Sequence, residues 1–149
     1  MFSKTDYKDG ETLVNVPKPY TFGLIIKVRD YECDVEGIVN NANYLHYFEM
    51  TRHAYCELKD FSFRRMTDEG LVPVMRRAEI EYLNSLRGSD LFASLLWVER
   101  IGPKFVFHQD LYKYPEGDTV SKALTTIVVT RDGRVTRGDE FSCLLSNDL

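Results

Sequence analysis

Apolar positions along the chain change their spacing several times, and each change predicts a structural element. Residues 1–19 are polar and aperiodic, with Pro17 and Pro19 where an apolar pattern begins, and they predict a flexible N-terminal arm. Tyr20–Val28 is rich in aromatic and β-branched residues (Phe22, Ile25, Ile26, Val28) and predicts a first strand. From Tyr44 to Leu58, Tyr44, Phe48, Thr51, Tyr55 and Leu58 recur at steps of three and four, with Tyr47 and Ala54 on the same side. That spacing predicts an amphipathic helix of about four turns. Asn40, Asn41 and Asn43 lie where an amide can cap its first turn. After Gly70, four long β-rich runs follow, 72–83, 90–101, 104–114 and 119–130, separated by the turn signals Gly102-Pro103, Pro115-Glu116-Gly117-Asp118 and Asp132-Gly133.

The order of strand, long helix and four antiparallel strands predicts an α+β domain, and 149 residues suffice for one core. The expected organisation is the arm over 1–19 and a single domain over 20–149. Runs such as Phe92-Ala93-Ser94-Leu95-Leu96-Trp97-Val98 are apolar on both faces. One face must pack on the helix; the other calls for a second covering and points to oligomerisation.

Composition narrows the class. Apolar content of 44% with 28% charged residues is ordinary for a soluble globular chain, and no apolar run approaches the ~20 residues of a membrane span. The start, Met1-Phe2-Ser3-Lys4-Thr5-Asp6, lacks the features of a secretory signal. Three widely spaced cysteines, Cys33, Cys56 and Cys143, suit neither a disulfide framework nor a zinc spacing, so the expected location is the cytoplasm. A net charge of −4 argues against nucleic acid as a partner, and any phosphate-bearing ligand needs a local basic patch.

The nucleophile-elbow, phosphate-loop, dinucleotide-glycine and His-Glu-x-x-His signatures are all missing. Carboxylate chemistry or a binding function remains. Asp34 is the leading candidate, since it stands between a strand and the start of a long helix, whose free N–H groups polarise a carbonyl. A carboxylate there can act as general base or nucleophile; its bland reading is an Asx-turn or a cap. His46, Glu49 and His53 share one side of the helix, a spacing open to a metal site but more simply a solvated face, with Glu49 pairing Arg52 or His53. No histidine neighbours Cys33 in sequence, which leaves it without an activating base. His108 is expected in the core or at an interface.

The segment Val28-Arg29, Asp34, Gly37, Val39, Asn40-Asn41, Tyr44, Phe48-Glu49 and Arg52 resembles the signature of the 4-hydroxybenzoyl-CoA thioesterase family of hot-dog proteins, and Ile80-Glu81-Tyr82 with Gly88-Ser89-Asp90 continues the match. The resemblance implies a long central helix packed on a five- to six-stranded antiparallel sheet, paired into a homodimer or homotetramer. It also implies hydrolysis of an acyl-CoA or acyl-carrier-protein thioester without a metal or other cofactor, since water is the second substrate. Asp34 would be the base or nucleophile. The Asn41 N–H would face the thioester oxygen, Gly37 would allow close backbone approach, and Glu49 would serve as an accessory base. Val39, Asn40 and Tyr44 would line the substrate, while Arg87, Arg64, Arg65 and Lys104 are candidates for holding CoA phosphates. Ile38 departs from the family, in which many members carry histidine, so the acyl group stays open. A non-catalytic thioester-binding module is the alternative of another class.

Overall fold

The computed structural model describes residues 1–145; the last four residues of the expected domain lie outside the described residues. Strand β1 (Phe22–Lys27) leads through a 3-10 turn (Asp30–Glu32) into helix α1 (Ala42–Leu58). A short helix α2 (Phe63–Asp68) follows, then β2 (Leu71–Tyr82), β3 (Leu91–Ile101), β4 (Lys104–Lys113), β5 (Thr119–Arg131), the two-residue β6 (Arg134–Val135) and a 3-10 segment (Asp139–Leu145). Neither α2, the two-residue β6 nor the last segment was expected. The strands form one antiparallel sheet in the order β1-β3-β4-β5-β2, with β6 beside β5. Strand β2 is therefore an edge.

One face of the sheet wraps α1. Phe22, Leu24 and Ile26 of β1, Phe92 and Leu96 of β3, and Phe105 and Phe107 of β4 meet Tyr47, Phe48 and Tyr55 of the helix in one core. The predicted helical stripe is buried at Tyr44, Tyr47, Phe48, Thr51 and Tyr55. Leu58, expected on that stripe, is exposed because the helix ends there. Ser94 breaks the apolar inner row of β3, yet its hydroxyl is matched by that of Thr51 at 2.6 Å, so neither is left unpaired.

The other face has a covering of its own. Residues 1–19, expected as a loose arm, run along β1: Thr12 bridges Leu24, and the N–H groups of Gly10 and Leu13 donate to the carbonyls of Ile25 and Gly23. Tyr7 is buried with Ile25, Ala93, Leu95, Tyr112 and Tyr114 in a second cluster. Asp9 holds the same segment by accepting from the Lys27 N–H at 2.8 Å and pairing with Arg29. Part of the two-sided apolar pattern thus serves an intrachain contact, because the arm supplies the second covering to β1, β3 and β4.

Candidate active site

The loop after β1 is a short hairpin. Cys33 bridges Val39, the Asp34 N–H donates to the Ile38 carbonyl at 2.9 Å, and the Gly37 N–H returns to the Asp34 carbonyl at 3.0 Å. This is a tight turn with Asp first and Gly fourth, and Gly37 is there for its φ of +79°. Asp34 is exposed, and one carboxylate oxygen, Oδ1, accepts from the Glu36 N–H at 2.9 Å. The Asx-turn reading is correct as far as it goes. Oδ2 has no hydrogen-bond partner among the described residues, so the turn occupies only one side of the carboxylate.

Glu32 ties this turn to the helix. Its carboxylate accepts from the Arg29 N–H at 2.6 Å and the Tyr47 hydroxyl at 3.0 Å, and its carbonyl accepts from the Asn40 N–H and the Asn43 side chain. Burial and then the charge of Glu32 push the Tyr47 hydroxyl's pKa up, so it stays a donor. Sequence reasoning missed Glu32. An Arg at the start of the turn in place of Ser or Thr hides the usual cap signature.

At the helix start the asparagines divide the work. Asn40 Oδ1 accepts from the Ala42 N–H at 3.0 Å, whereas Asn41 occupies the cap position with no side-chain cap. The Asn41 N–H has no acceptor among the described residues. A cavity of about 290 Å³ opens here, lined by Asp34, Ile38, Val39, Asn41 and Tyr44. Its opposite wall is Tyr82, the last residue of β2, with Leu83, Asn84 and Ser85 just after it, and the Tyr82 hydroxyl donates to the Asn41 carbonyl at 3.3 Å. Tyr82 packs edge-on to Tyr44 at 5.0 Å. Its aromatic character at a strand end was the available signal; Leu83, Asn84 and Ser85 carried none.

The other candidates spread out. Asn40 and Gly37 shape the loop without lining the cavity. Arg87 stands beside the loop, its backbone bridged to Ile38, with an exposed side chain. Arg64 and Arg65 sit on α2, past the far end of α1, and Arg65 pairs with Glu69 at 3.5 Å. Lys104 lies at the turn where β3 ends, across the sheet from the Asp34 loop. Within one protomer these three do not join Arg87.

Glu49 lines a different cavity, and it pairs with His53 at 3.7 Å, both half-exposed. The alternative pairing with Arg52 is not made, because Arg52 turns inward to Gln109 at 3.0 Å. Among the described residues no three His, Cys, Asp or Glu side chains are grouped to hold a metal. Cys33 is half-buried, and burial with the carboxylates of Asp30, Glu32, Asp34 and Asp90 pushes its thiol pKa up, the opposite of nucleophile activation. His108, expected in the core or at an interface, faces the outer side of the sheet, stacked on Trp97 at 3.9 Å and bonded to Glu99 at 2.9 Å. A larger outer hollow, about 530 Å³ and lined by Tyr20, Trp97, His108 and Leu124, contains none of the predicted site residues.

The family model of the thioesterase-like superfamily matches residues 28–142, from the start of the Asp34 loop to the last 3-10 segment. The chain belongs to the thioesterase-like superfamily. Within it, the chain is 36% identical over 104 residues to the long-chain acyl-CoA thioesterase FadM of Escherichia coli, covering 69% of this chain and 78% of FadM. It is 29% identical over 104 residues to the acyl-acyl carrier protein thioesterase ATL2 of Arabidopsis thaliana, covering 69% of this chain and 55% of ATL2. A hypothetical protein of Aquifex aeolicus superposes with a TM-score of 0.75 at 30% identity, over 83% of this chain and 98% of that one. A 4-hydroxybenzoyl CoA thioesterase structure superposes at 0.73 with 17% identity, over 82% and 96%, a likeness of fold. The fold is the expected α+β hot dog, and this superfamily member is a thioester hydrolase.

Proposed function

We propose that the chain is an acyl-CoA thioesterase acting through Asp34. The observation that carries this reading is one cavity lined by both Asp34 and Asn41, the latter with an N–H that has no acceptor among the described residues. Asp34 takes a proton from water, the water oxygen bonds to the thioester carbon, and the negative charge passing to the carbonyl oxygen is held by the Asn41 N–H. Collapse of that intermediate breaks the C–S bond, and the proton returns from Asp34 to the thiolate. Direct attack by Asp34, through a mixed anhydride, uses the same groups. Val39, Tyr44 and Tyr82 wall the thioester in this reading, and Arg87, exposed and bridged through its backbone to Ile38, supplies the charge for a CoA phosphate. Glu49 is too far along the helix to share the proton transfer within one protomer.

The protein works as a homodimer in this reading. Strand β2 presents twelve residues with an unpaired edge, which a second β2 would pair. The three free cysteines suit the reducing cytoplasm, and no helix among the described residues is long and apolar enough to cross a membrane.

Thiol release from acyl-CoA and acyl-carrier-protein substrates tests the proposal, for the native protein and for Asp34→Asn. The expected result is turnover of acyl-CoA and a loss of about 10²–10⁴-fold in kcat for Asp34→Asn at an unchanged melting temperature. Equal rates would remove Asp34 from the mechanism, a strict need for carrier protein would change the thiol carrier, and binding without release would leave a binding module.

A further inference from the structure

Arg52 is 7% exposed, yet it has no carboxylate partner within 4 Å among the described residues. Its Nη1 donates to Gln109 Oε1 at 3.0 Å, and Gln109, itself fully buried, donates through Nε2 to the Phe48 carbonyl at 3.0 Å. The remaining guanidinium donors have no acceptor among the described residues. Burial disfavours the Arg52 charge and the Glu49 carboxylate partly offsets this from beyond 4 Å, while the unpaired donors are not sealed in the core, which leaves room for an oxygen acceptor to meet them. What Arg52 faces is a cavity of about 210 Å³ whose other walls are mostly apolar, among them Phe63, Met75, Phe107, Ile127 and Phe141. The nearest acid on its rim, Glu49, is half-exposed and already paired with His53.

This cavity and the Asp34 cavity lie on the same side of α1. The helix packs chiefly on β3 and β1, and β2 runs past it with the inner-row residue Ala78 left exposed. The first cavity has Tyr44 and Tyr82 as facing walls; the second has Arg52 and Met75. From Asn41 to Arg52 the helix advances eleven residues, roughly 16 Å. That is the reach of an extended acyl chain and far more than an aryl group needs.

Resting on the thioesterase reading above, we infer that the acyl group runs from the Asp34 loop along the α1–β2 side into the Arg52 cavity, and that the enzyme favours a long chain whose far end carries an oxygen acceptor, above all a carboxylate. The apolar walls hold the methylenes, and the guanidinium meets the terminal oxygen in a charge-assisted contact that a plain methyl end cannot make. A methyl end leaves Arg52 desolvated and unmatched, which is the asymmetry that separates good from poor substrates in polar sites.

The test compares matched twelve-carbon thioesters, dodecanoyl-CoA against its ω-carboxy and ω-hydroxy counterparts, in kcat/KM, and the free acids dodecanoate and dodecanedioate in calorimetric binding. The native protein is expected to favour the ω-oxygenated member at least tenfold in one readout or both. Arg52→Met should abolish or invert that preference, read as the ratio of the two kcat/KM values. Native preference for the plain chain, or equal handling of the pair in both readouts, overturns the inference without any variant. An Arg52→Met protein that lowers both substrates alike also overturns it. If no thioester is hydrolysed but dodecanedioate binds better and needs Arg52, the tail site stands and the catalytic reading falls.

Discussion

The two ends of helix α1 are built on opposite plans. At its start the chemistry is wet: Asp34 is exposed, its turn is held by backbone hydrogen bonds, and the donor of interest is a main-chain N–H. Eleven residues on, Arg52 is enclosed by aromatic and aliphatic side chains and touches one buried amide. Proton transfer needs water at the carboxylate, whereas discrimination between acyl tails needs a dry wall against which a missing contact is felt. The proposed site, with the reaction at a helix terminus and recognition along its flank, could alter one without disturbing the other. Asp34 is accordingly a loop residue, and Arg52 part of the core.

The sharpest way to break this contrast is to remove the backbone donor. Asn41 has φ of −56°, a value proline adopts, and its N–H has no acceptor among the described residues. Asn41→Pro is therefore expected to lower kcat by about 10²–10³-fold, with little change in melting temperature, when thiol release and thermal unfolding are measured side by side. At the other end the effect should reverse, with stability moving more than chemistry. Gln109→Leu strips Arg52 of its one acceptor and should destabilise by about 1.5–3 kcal/mol in urea unfolding, while Arg52→Met with Gln109→Leu should recover most of that loss. Additive losses in this cycle would mean that the two side chains are not coupled.

Two smaller effects sharpen the comparison. Tyr47→Phe removes the hydroxyl that joins the Asp34 turn to the helix, and should cost about 1 kcal/mol by denaturant titration together with a fall in kcat well short of that for Asp34→Asn. Smallest is Asp9→Asn, which loosens the arm. Burial opposes ionisation of Asp9, but its hydrogen bonds with Arg29 and the Lys27 N–H outweigh that and hold its carboxyl pKa below the usual 3.8. A carboxylate lowered in the folded state contributes stability above the unfolded value that is lost as pH falls through the folded one. Half-exposed as the pair is, the substitution should remove a few tenths of a kcal/mol at pH 7 and flatten the acid limb of the stability curve below about pH 4.

Legibility in the sequence tracked range. The steps of three and four from Tyr44 to Tyr55 revealed α1, and the Gly102-Pro103 and Asp132-Gly133 signals bounded the strands, since each depends on neighbours within a few residues. Helix α2 escaped because six residues hold less than two turns of periodicity. The arm escaped because Tyr7, Leu13 and Val16 follow no period, although they cover Ile25 and Gly23. Arg52 was read as a surface partner of Glu49, a fair inference for a charged residue on a helix, and only the position of Gln109 on β4 draws it inward.

What the sequence determined by itself is the set of long elements and the Asx turn at Asp34, because hydrogen-bonding periods and turn residues act over a few positions. The tertiary structure decided which distant groups meet: Asp34 and Tyr82 at one cavity, Arg52 and Gln109 in a hydrogen bond, and Tyr7 and Tyr114 in a buried cluster. It also separated Arg64, Arg65 and Lys104 from Arg87 within one protomer. No local pattern encodes those meetings. They follow from the order in which five strands pair and from the side of the sheet on which the helix comes to rest.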